Sequence, residues 1–235
     1  MTVRIKGRQE IAKGVMAISF DTEGQDLNFK AGQFCTVTLI NPPYNDNRGN
    51  NRFLGFSTSP SDKSSFSVTT KMGVSAFKKS LAEITIGTEV EISEINGRIN
   101  LPEDKNQPLV FVAGGIGISP IMGIIRYCHE NSWPYNMTLV YSNENSESTP
   151  YLEELQGYAK ETERFKLIAT MTDDPGWTGE KGKVDAQFIK DHFPEFSQNL
   201  YFVTGPPQFV PGVFKEIRDA GVPVQNIKME IFTGY

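Results

Sequence analysis

The chain has 235 residues, enough for one large domain or two small ones. Hydrophobic residues make up 38% and charged residues 22%, values of an ordinary globular protein that argue against disorder and coiled coil. The 23 basic and 28 acidic residues give a net charge of −5, which disfavours a general nucleic-acid-binding function because such a surface repels phosphate backbones.

The small number of cysteines and histidines restricts metal chemistry. A Cys-ligated iron–sulfur cluster needs about four cysteines, and a structural zinc site usually needs four Cys or His ligands in close pairs. Only Cys128 and His129 are near neighbours here, so no metal site is predicted. Cys35 and Cys128 are interpreted as buried apolar side chains in a reducing compartment, and the expected location is cytoplasmic.

The sequence does not predict a signal peptide or a membrane span. Its first ten residues lack the apolar core of a signal peptide. Residues 106–125 are uncharged, but glycines and a proline interrupt them, so we interpret this stretch as a buried strand, a turn and a helix.

The first hundred residues are predicted to form short strands separated by turn residues. β-branched and aromatic residues alternate or cluster at 3–7, 14–20, 33–40, 66–71 and 89–94. One helix is predicted at 74–83. Many short strands at this spacing predict a small antiparallel β-barrel over residues 1–103.

The pattern changes after the polar, proline-bounded linker at 102–108. Strands are predicted at 109–113, 137–141, 165–171, 200–204 and 227–231, and helices at 118–130, 149–160, 185–192 and 206–220. Alternation of strand and helix at this period predicts a doubly wound parallel sheet. Residues 104–235 are therefore predicted to be an α/β domain.

A glycine-rich turn joins the first strand and first helix of this second half. Gly114, Gly115 and Gly117 allow positive φ angles and let backbone N–H groups approach a ligand. The helix start beyond them suits a pyrophosphate, and Ser119 either caps the helix or contacts the ligand. The position predicts nucleotide binding. The alternative is a tight turn whose glycines serve only packing.

Four further stretches resemble motifs of the ferredoxin–NAD(P)H reductase superfamily, in the order of that family. They read RFLGFSTSP at 52–60, KMGVS at 71–75, TGPP at 204–207 and EIFTGY at 230–235. Members of the family pair an FAD-binding antiparallel barrel with a nicotinamide-binding α/β domain. The resemblance covers nearly the whole chain and implies FAD and a nicotinamide dinucleotide as cofactors.

The first two motifs imply an FAD site. The resemblance gives Arg52 and Ser75 to the FAD diphosphate, a reasonable role because a guanidinium binds phosphate bidentately and a helix start offers free donors. The alternatives are a surface ion pair for Arg52 and a plain helix cap for Ser75. The FAD-binding residues implied are Arg52, Phe53, Leu54, Gly55, Phe56, Ser57, Thr69, Lys71, Gly73, Val74 and Ser75.

The flavin motif departs from the family at two positions. Leu54 replaces the aromatic residue that normally stacks on the flavin, and Gly55 replaces the Ser or Thr whose hydroxyl usually reaches flavin N5. A backbone N–H or a residue from elsewhere must then serve N5. A second alignment places Phe56 and Ser57 on these two positions, but it loses Arg52.

The last two motifs imply a nicotinamide site containing Gly205 and Pro206. Thr204 replaces the family cysteine near the hydride path, where its hydroxyl can still form a hydrogen bond. Glu230 is expected to orient or relay a proton near the flavin, and Phe232 or Tyr235 to cover a flavin face. Gly55, Thr204 and Glu230 are therefore the catalytic candidates; the alternative for Glu230 is a solvated strand end, and for the aromatics core packing.

The loop after the second α/β strand predicts which nicotinamide cofactor is used. Glu144 stands where NADPH-using relatives typically place an arginine, and a carboxylate accepts hydrogen bonds from ribose hydroxyls but repels a phosphate. NADH is therefore favoured over NADPH. Lys160, Arg164 or Lys166 could still favour NADPH if folding brings one of them close.

The resulting hypothesis is an FAD-dependent NADH oxidoreductase that passes electrons to a separate acceptor, such as ferredoxin, flavodoxin, a diffusible flavin or a quinone. Lys71, Lys78 and Lys79 either dock an acidic ferredoxin or form a solvated helix face. Two alternatives stay open. One is an electron-transfer subunit of a larger redox complex, and the other is a catalytically weak regulatory protein that binds flavin or nucleotide on the same fold.

Overall fold

The N-terminal half forms an antiparallel sheet in the computed structural model, which describes residues 1–233. Its strands are β1 (Thr2–Ala12), β2 (Val15–Asp21), β3 (Phe34–Leu39), β4 (Asn51–Gly55), β5 (Ser65–Lys71) and β6 (Glu89–Asn96), and helix α1 (Ala76–Glu83) lies between β5 and β6. The six strands follow the order β4-β3-β6-β1-β2-β5. An antiparallel bridge between Phe56 and Val68 joins the two outer strands, so the sheet closes into the predicted barrel.

Alternating apolar side chains fill the interior of this barrel. Ile18 and Phe20 of β2 are fully buried, and the ring of Phe20 stacks on that of Phe66 at 4.9 Å between centroids. Phe56 stacks on Phe29 at 4.0 Å. Strand periodicity of two places these residues on one face, which explains why the sequence pattern located most of the strands.

The C-terminal half is a parallel sheet with helices between its strands. Its elements are β7 (Leu109–Gly114), α2 (Ile118–Glu130), β8 (Met137–Asn143), α3 (Leu152–Glu161), β9 (Phe165–Met171), β10 (Glu180–Lys181), α4 (Ala186–His192), β11 (Leu200–Gly205), α5 (Phe209–Ala220) and β12 (Ile227–Ile231). The strand order is β10-β9-β8-β7-β11-β12. The predicted doubly wound architecture is therefore confirmed. The order reverses between β7 and β11, and ligands of such sheets bind beyond the carboxyl ends of the strands at that point.

The chain divides into two compact units, and one helix is shared between them. The first unit contains residues 1–100 and 119–127, and the second contains 101–118 and 128–232. The middle of α2 thus belongs with the barrel. Arg126 donates to the carbonyl of Ser57 at 2.6 Å, across 69 positions of sequence. The predicted domain boundary at 103/104 places this segment of α2 in the second domain. Contacts between residues so far apart in sequence leave no local signal, so the sequence did not indicate that the segment packs with the barrel.

Within residues 1–233, no helix is long and apolar enough to cross a membrane. In the same range no three His, Cys, Asp or Glu side chains are grouped as metal ligands. Both cysteines are buried free thiols, and burial raises the pKa of Cys128 to about 12.

Candidate nucleotide-binding sites

The start of α1 carries the first group of predicted site residues. Ser75 is the N-cap, and its side chain accepts a hydrogen bond from Lys78 N at 3.4 Å. The N–H of Ala76 donates to Asp46 Oδ2 at 2.8 Å. Two of the free donors of this helix start are therefore engaged by side chains of the protein.

Arg52 of β4 lies beside this helix start. Its guanidinium lies over the ring of Phe77, 5.1 Å from the centroid, and Nη1 donates to the carbonyls of Arg48 and Gly49 at 3.0 and 3.3 Å. Nη2 is buried and has no hydrogen-bond partner within residues 1–233. Burial and the nearby Arg48 lower the pKa of Arg52. Within residues 1–233, Arg52 does not form the surface ion pair that was its alternative role.

Lys78, which the sequence placed on an exposed basic face, is only 7% exposed. Its Cδ and Nζ lie 3.4 and 3.8 Å from the position that a Cβ on Gly73 would occupy. Burial, followed by the charges of Lys71, Arg48 and Arg52, lowers the pKa of Lys78. The hypothesis of a docking face that includes Lys78 is therefore wrong, because this side chain is enclosed at the helix start.

The side chains of the flavin motif lie mostly in the barrel interior. Leu54 is 6% exposed and belongs to the core, and Phe56 and Ser57 have no exposed surface. Protein atoms surround the side chains of Phe56 and Ser57, so their role in FAD binding stays a prediction that concerns their backbone. Phe53 is the exposed aromatic of β4, at 50% exposure, with its ring edge-on to Phe34.

Ser119 has a structural role that the sequence did not indicate. Its Oγ donates to the carbonyl of Gly55 at 2.7 Å and accepts from the N–H of Thr69 at 3.2 Å. Ser119 and Thr69 are each 1% exposed, and their ligand-binding roles stay predictions. In the structure Ser119 joins β4 to β5 from within α2.

Gly55 packs against the same helix. A Cβ on Gly55 would lie 2.5 Å from Cδ of Pro120, closer than atoms can approach. This close packing explains the absence of the family's Ser or Thr at this position. The catalytic role of Gly55 stays a prediction and concerns only its backbone atoms.

The remaining residues of the barrel motifs lie on the surface at the start of α1. Lys71 and Gly73 are exposed or partly exposed, and Val74 is 90% exposed. Together with Arg52, Ser75 and Lys78 they form one region, which we call the α1 anion site.

The glycine turn lies at the carboxyl end of β7, beside the reversal of strand order. A Cβ on Gly114 would lie 2.7 Å from the ring of Phe209, and one on Gly117 would lie 2.4 Å from the carbonyl oxygen of Thr204. These two glycines serve packing. Gly115 has a φ of +53°, and a Cβ placed on it would meet no atom within 4 Å, so it is the glycine whose backbone a ligand can approach closely.

The end of β11 completes this second region. Oγ1 of Thr204 donates to the carbonyl of Gly117 at 3.3 Å, and the side chain is fully buried. This hydroxyl holds the glycine turn to β11, and the catalytic role of Thr204 stays a prediction. Gly205 and Pro206 follow, and Gly205 lies against the ring of Phe209.

The C-terminal motif is only partly described. Glu230 is 8% exposed and lies opposite Thr204 in the register of β11 and β12, so the solvated strand end is not its environment. Phe232 is also buried, and its N–H donates to the carbonyl of Gly205 at 3.0 Å. Tyr235 lies outside the described residues. The functional roles of all three stay predictions.

Glu144 directly follows β8 and is exposed, at the same edge of the sheet as the glycine turn. The three cations considered for NADPH lie at the opposite edge. The carbonyl of Arg164 accepts from the N–H of Met137, the first residue of β8. Lys166 is the second residue of β9, and Lys160 lies in the last turn of α3. Seven residues of strand span roughly 20 Å, so none of these cations reaches Glu144.

Comparison with known proteins agrees with this geometry. A family model described as the oxidoreductase NAD-binding domain matches residues 111–215. Residues 111–215 are therefore similar to that domain. The match includes the glycine turn, Glu144 and the end of β11.

Individual relatives extend the likeness beyond this NAD-binding domain. NADH-cytochrome b5 reductase 1 of Laccaria bicolor is 31% identical over 62% of this chain and 49% of its own length. Sulfhydrogenase 1 subunit gamma of Pyrococcus furiosus is 28% identical over 53% of this chain and 44% of its own. The Amycolatopsis cytochrome P450 reductase structure covers 99% of this chain and 69% of its own, with a TM-score of 0.85 and 20% identity.

The family model supports the resemblance to the ferredoxin–NAD(P)H reductase superfamily in the second half of the chain, and the two-sheet fold is shared with the P450 reductase structure. The chain spans about half the length of the curated relatives it matches.

Proposed function

We propose that this protein is an FAD-dependent NADH oxidoreductase that delivers electrons to a separate acceptor. The observation that carries the proposal is the open backbone at Gly115, within a matched NAD-binding domain, at the edge where β7 and β11 end. Backbone N–H groups at such a turn are suited to a pyrophosphate.

The residues of the α1 anion site fit a flavin dinucleotide. The buried Nη2 of Arg52 has no hydrogen-bond partner within residues 1–233, and Lys78 is largely buried beside it, so both cations are available to a diphosphate. Phe53, rather than Leu54, offers an exposed ring for stacking. Bound FAD supplies hydride acceptance from nicotinamide and release of single electrons. The protein's own part is to bind and orient the phosphates.

Exposed Glu144 supports NADH as the donor. Its carboxylate is available to accept hydrogen bonds from ribose hydroxyls, and Arg164 lies at the far edge of the sheet, so no cation of the three considered offsets the repulsion of a 2′-phosphate.

The test is a visible spectrum of the purified chain before and after anaerobic addition of NADH, repeated with NADPH. We expect a flavin spectrum that NADH bleaches much faster than NADPH does. A colourless preparation that does not take up added FAD would refute the proposal, and faster bleaching by NADPH would refute the NADH preference.

The acceptor is proposed to be a one-electron protein such as ferredoxin or flavodoxin, or a diffusible flavin or quinone. A second candidate function is favoured by the likeness to a subunit named sulfhydrogenase gamma: an electron-transfer subunit of a larger complex. Steady oxidation of NADH by the isolated chain with an artificial acceptor, and with ferredoxin at a comparable rate, supports the first. Turnover with the artificial acceptor alone supports the second.

A further inference from the structure

A short segment between β3 and β4 lies along α1. The N–H of Tyr44 donates to Ser80 Oγ at 3.1 Å, and that hydroxyl donates to the carbonyl of Tyr44 at 3.2 Å. The phenol of Tyr44 donates to Glu83 Oε2 at 2.7 Å. Residues 44–46, which we call the strap, are thus fixed to the helix at two places before the chain reaches the helix start.

The strap places a carboxylate at that helix start. Oδ2 of Asp46 accepts from the N–H of Ala76 at 2.8 Å, and Oδ1 accepts from the N–H of Arg48 at 2.9 Å. These two N–H groups, followed by the charge of Arg52, lower the pKa of Asp46, so its carboxyl is ionised at neutral pH. An anion of the protein therefore holds the first free donor of α1.

The surrounding positive charge exceeds what one carboxylate neutralises. Arg48, Arg52 and Lys71 all act on Lys78, and each lowers its pKa. Within residues 1–233 the Nζ of Lys78 has no hydrogen bond or ion pair, although the side chain is 7% exposed. A partly desolvated cation among like charges is unfavourable, and a ligand that carries two or more negative charges would relieve it.

We propose that Asp46 is an internal substitute for a phosphate group, and that an incoming diphosphate displaces its carboxylate from Ala76 and gains Lys78 as a ligand. The inference rests on the proposed function for the identity of the diphosphate, which is that of FAD. A flavin without phosphate does not compete for the site. Affinity for the dinucleotide therefore depends partly on the strap, because the carboxylate of Asp46 must leave the N–H of Ala76 for the diphosphate to bind there.

Two substitutions separate the two roles. Asp46→Asn keeps the size and one acceptor for the N–H of Ala76 but removes the competing charge, so pyrophosphate binds about tenfold more tightly. Lys78→Met keeps the aliphatic packing but removes the enclosed cation, so pyrophosphate binds about tenfold more weakly. The matched control is Asp62→Asn, because Asp62 also accepts N–H bonds in an exposed turn, from Ser64 at 2.8 Å.

The measurement uses the full ¹⁵N-labelled chain and follows the amide signal of Ala76 during titration with inorganic pyrophosphate. Urea unfolding of each variant confirms that it is folded. Parallel fluorescence titrations use FAD and riboflavin. We expect Asp46→Asn to tighten FAD binding about tenfold and to leave riboflavin binding within twofold, and Asp62→Asn to change neither.

The inference is overturned if Asp46→Asn leaves pyrophosphate affinity within twofold of the unmodified chain or weakens it, because the carboxylate would then be a cap and not a competitor. A chain that binds pyrophosphate with the expected effects of both variants, yet takes up neither flavin, keeps this inference and refutes the flavin function. Tight FAD binding that Asp46→Asn does not change would refute this inference and keep the flavin function.

Discussion

Two helix starts in this molecule offer backbone donors to an anion, and they are built in different ways. The start of α1 is surrounded by charge, with Arg52 and Lys78 close to it and Asp46 already bonded to Ala76. The turn before α2 contains no charged side chain from 112 to 120. There the backbone is exposed at Gly115 because neighbouring glycines allow close packing.

The difference shows that one of the two proposed phosphate sites depends on charge and the other on shape. Charge acts over several ångströms and tolerates small movements, so a carboxylate such as Asp46 can compete with a ligand for the same cations. A site specified by shape depends on glycines at positions where any side chain would clash with neighbouring atoms. Such positions tolerate almost no substitution. The two regions are therefore expected to respond oppositely to charge changes and to added methyl groups.

The largest effect is expected from Gly117→Ala. The added Cβ would lie 2.4 Å from the carbonyl oxygen of Thr204, a backbone atom that cannot turn away. We expect the free energy of unfolding to fall by about 3 kcal/mol, measured by urea denaturation, because overpacking at a rigid contact forces backbone shifts.

Gly212→Ala is the control for this change. Gly212 lies within α5 and has no atom within 4 Å of an added Cβ, so alanine there should stabilise the protein by roughly 0.5–1 kcal/mol. Equal losses from both substitutions would show that tight packing of the turn is not the cause.

The second effect concerns Arg52. Arg52→Met removes the guanidinium group from the α1 anion site. We expect the dissociation constant for FAD to rise about thirtyfold, with Arg52→Lys intermediate. Fluorescence titration of the apoprotein measures it. Arg4→Met removes an equivalent charge from the exposed pairs with Glu23 and Glu89 in the same barrel and should leave the constant unchanged. A similar rise in both variants would argue for a general loss of charge.

A smaller effect is expected from Glu144→Arg. The new guanidinium would attract the 2′-phosphate instead of repelling it, so the ratio of kcat/KM for NADPH over NADH should rise about tenfold. Glu163→Arg makes the same charge change near the amino-terminal end of β9 and should leave the ratio unchanged. An unchanged ratio in Glu144→Arg would place the adenosine ribose elsewhere.

The smallest effect concerns pH and Asp174, in the loop after β9. The hydroxyl of Ser146 donates to Asp174 Oδ2 at 2.6 Å, and hydrogen bonds from the hydroxyl and N–H of Ser146 lower the pKa of this carboxyl. A lowered folded pKa stabilises the fold above the unfolded value, and the contribution is lost as pH falls through the folded value.

Asp174→Asn should therefore lower the urea midpoint at pH 7, and its difference from the unmodified chain should shrink below about pH 4. Asp173→Asn removes one charge from the adjacent exposed residue and tests whether charge loss alone has this effect. A difference that persists at pH 2 would contradict the assignment.

Much of the fold was predictable because its signals are local. Helix α2 and strands β9 and β12 were located at their observed bounds, since apolar periodicity and flanking turn residues define them. Strand β4 was missed because its residues were interpreted only as a cofactor motif. Helix α3 begins at Leu152, three residues later than predicted, because Tyr151 takes a left-handed conformation with a φ of 62°.

The candidate site was less predictable, because its decisive contacts are long-range. Asp46 lies 30 positions from Ala76, and its polar surroundings carry no signal for that contact. Ser119 donates to the carbonyl of Gly55 across 64 positions, a contact that the neighbouring glycines do not indicate. Lys78 lies within the predicted helix 74–83, and only the packed structure reveals that its side chain is largely buried.

The contribution of α2 to the barrel limits how the halves can be exchanged. Pro120 fills the space beside Gly55, and a Cβ on Gly123 would lie 2.7 Å from the carbonyl oxygen of Phe56. A chimera that keeps this barrel but takes its second half from another protein of this fold must also inherit a proline and a glycine at these two helix positions. A chimera joined at the linker, without these two residues, would lose the close packing of α2 against the barrel.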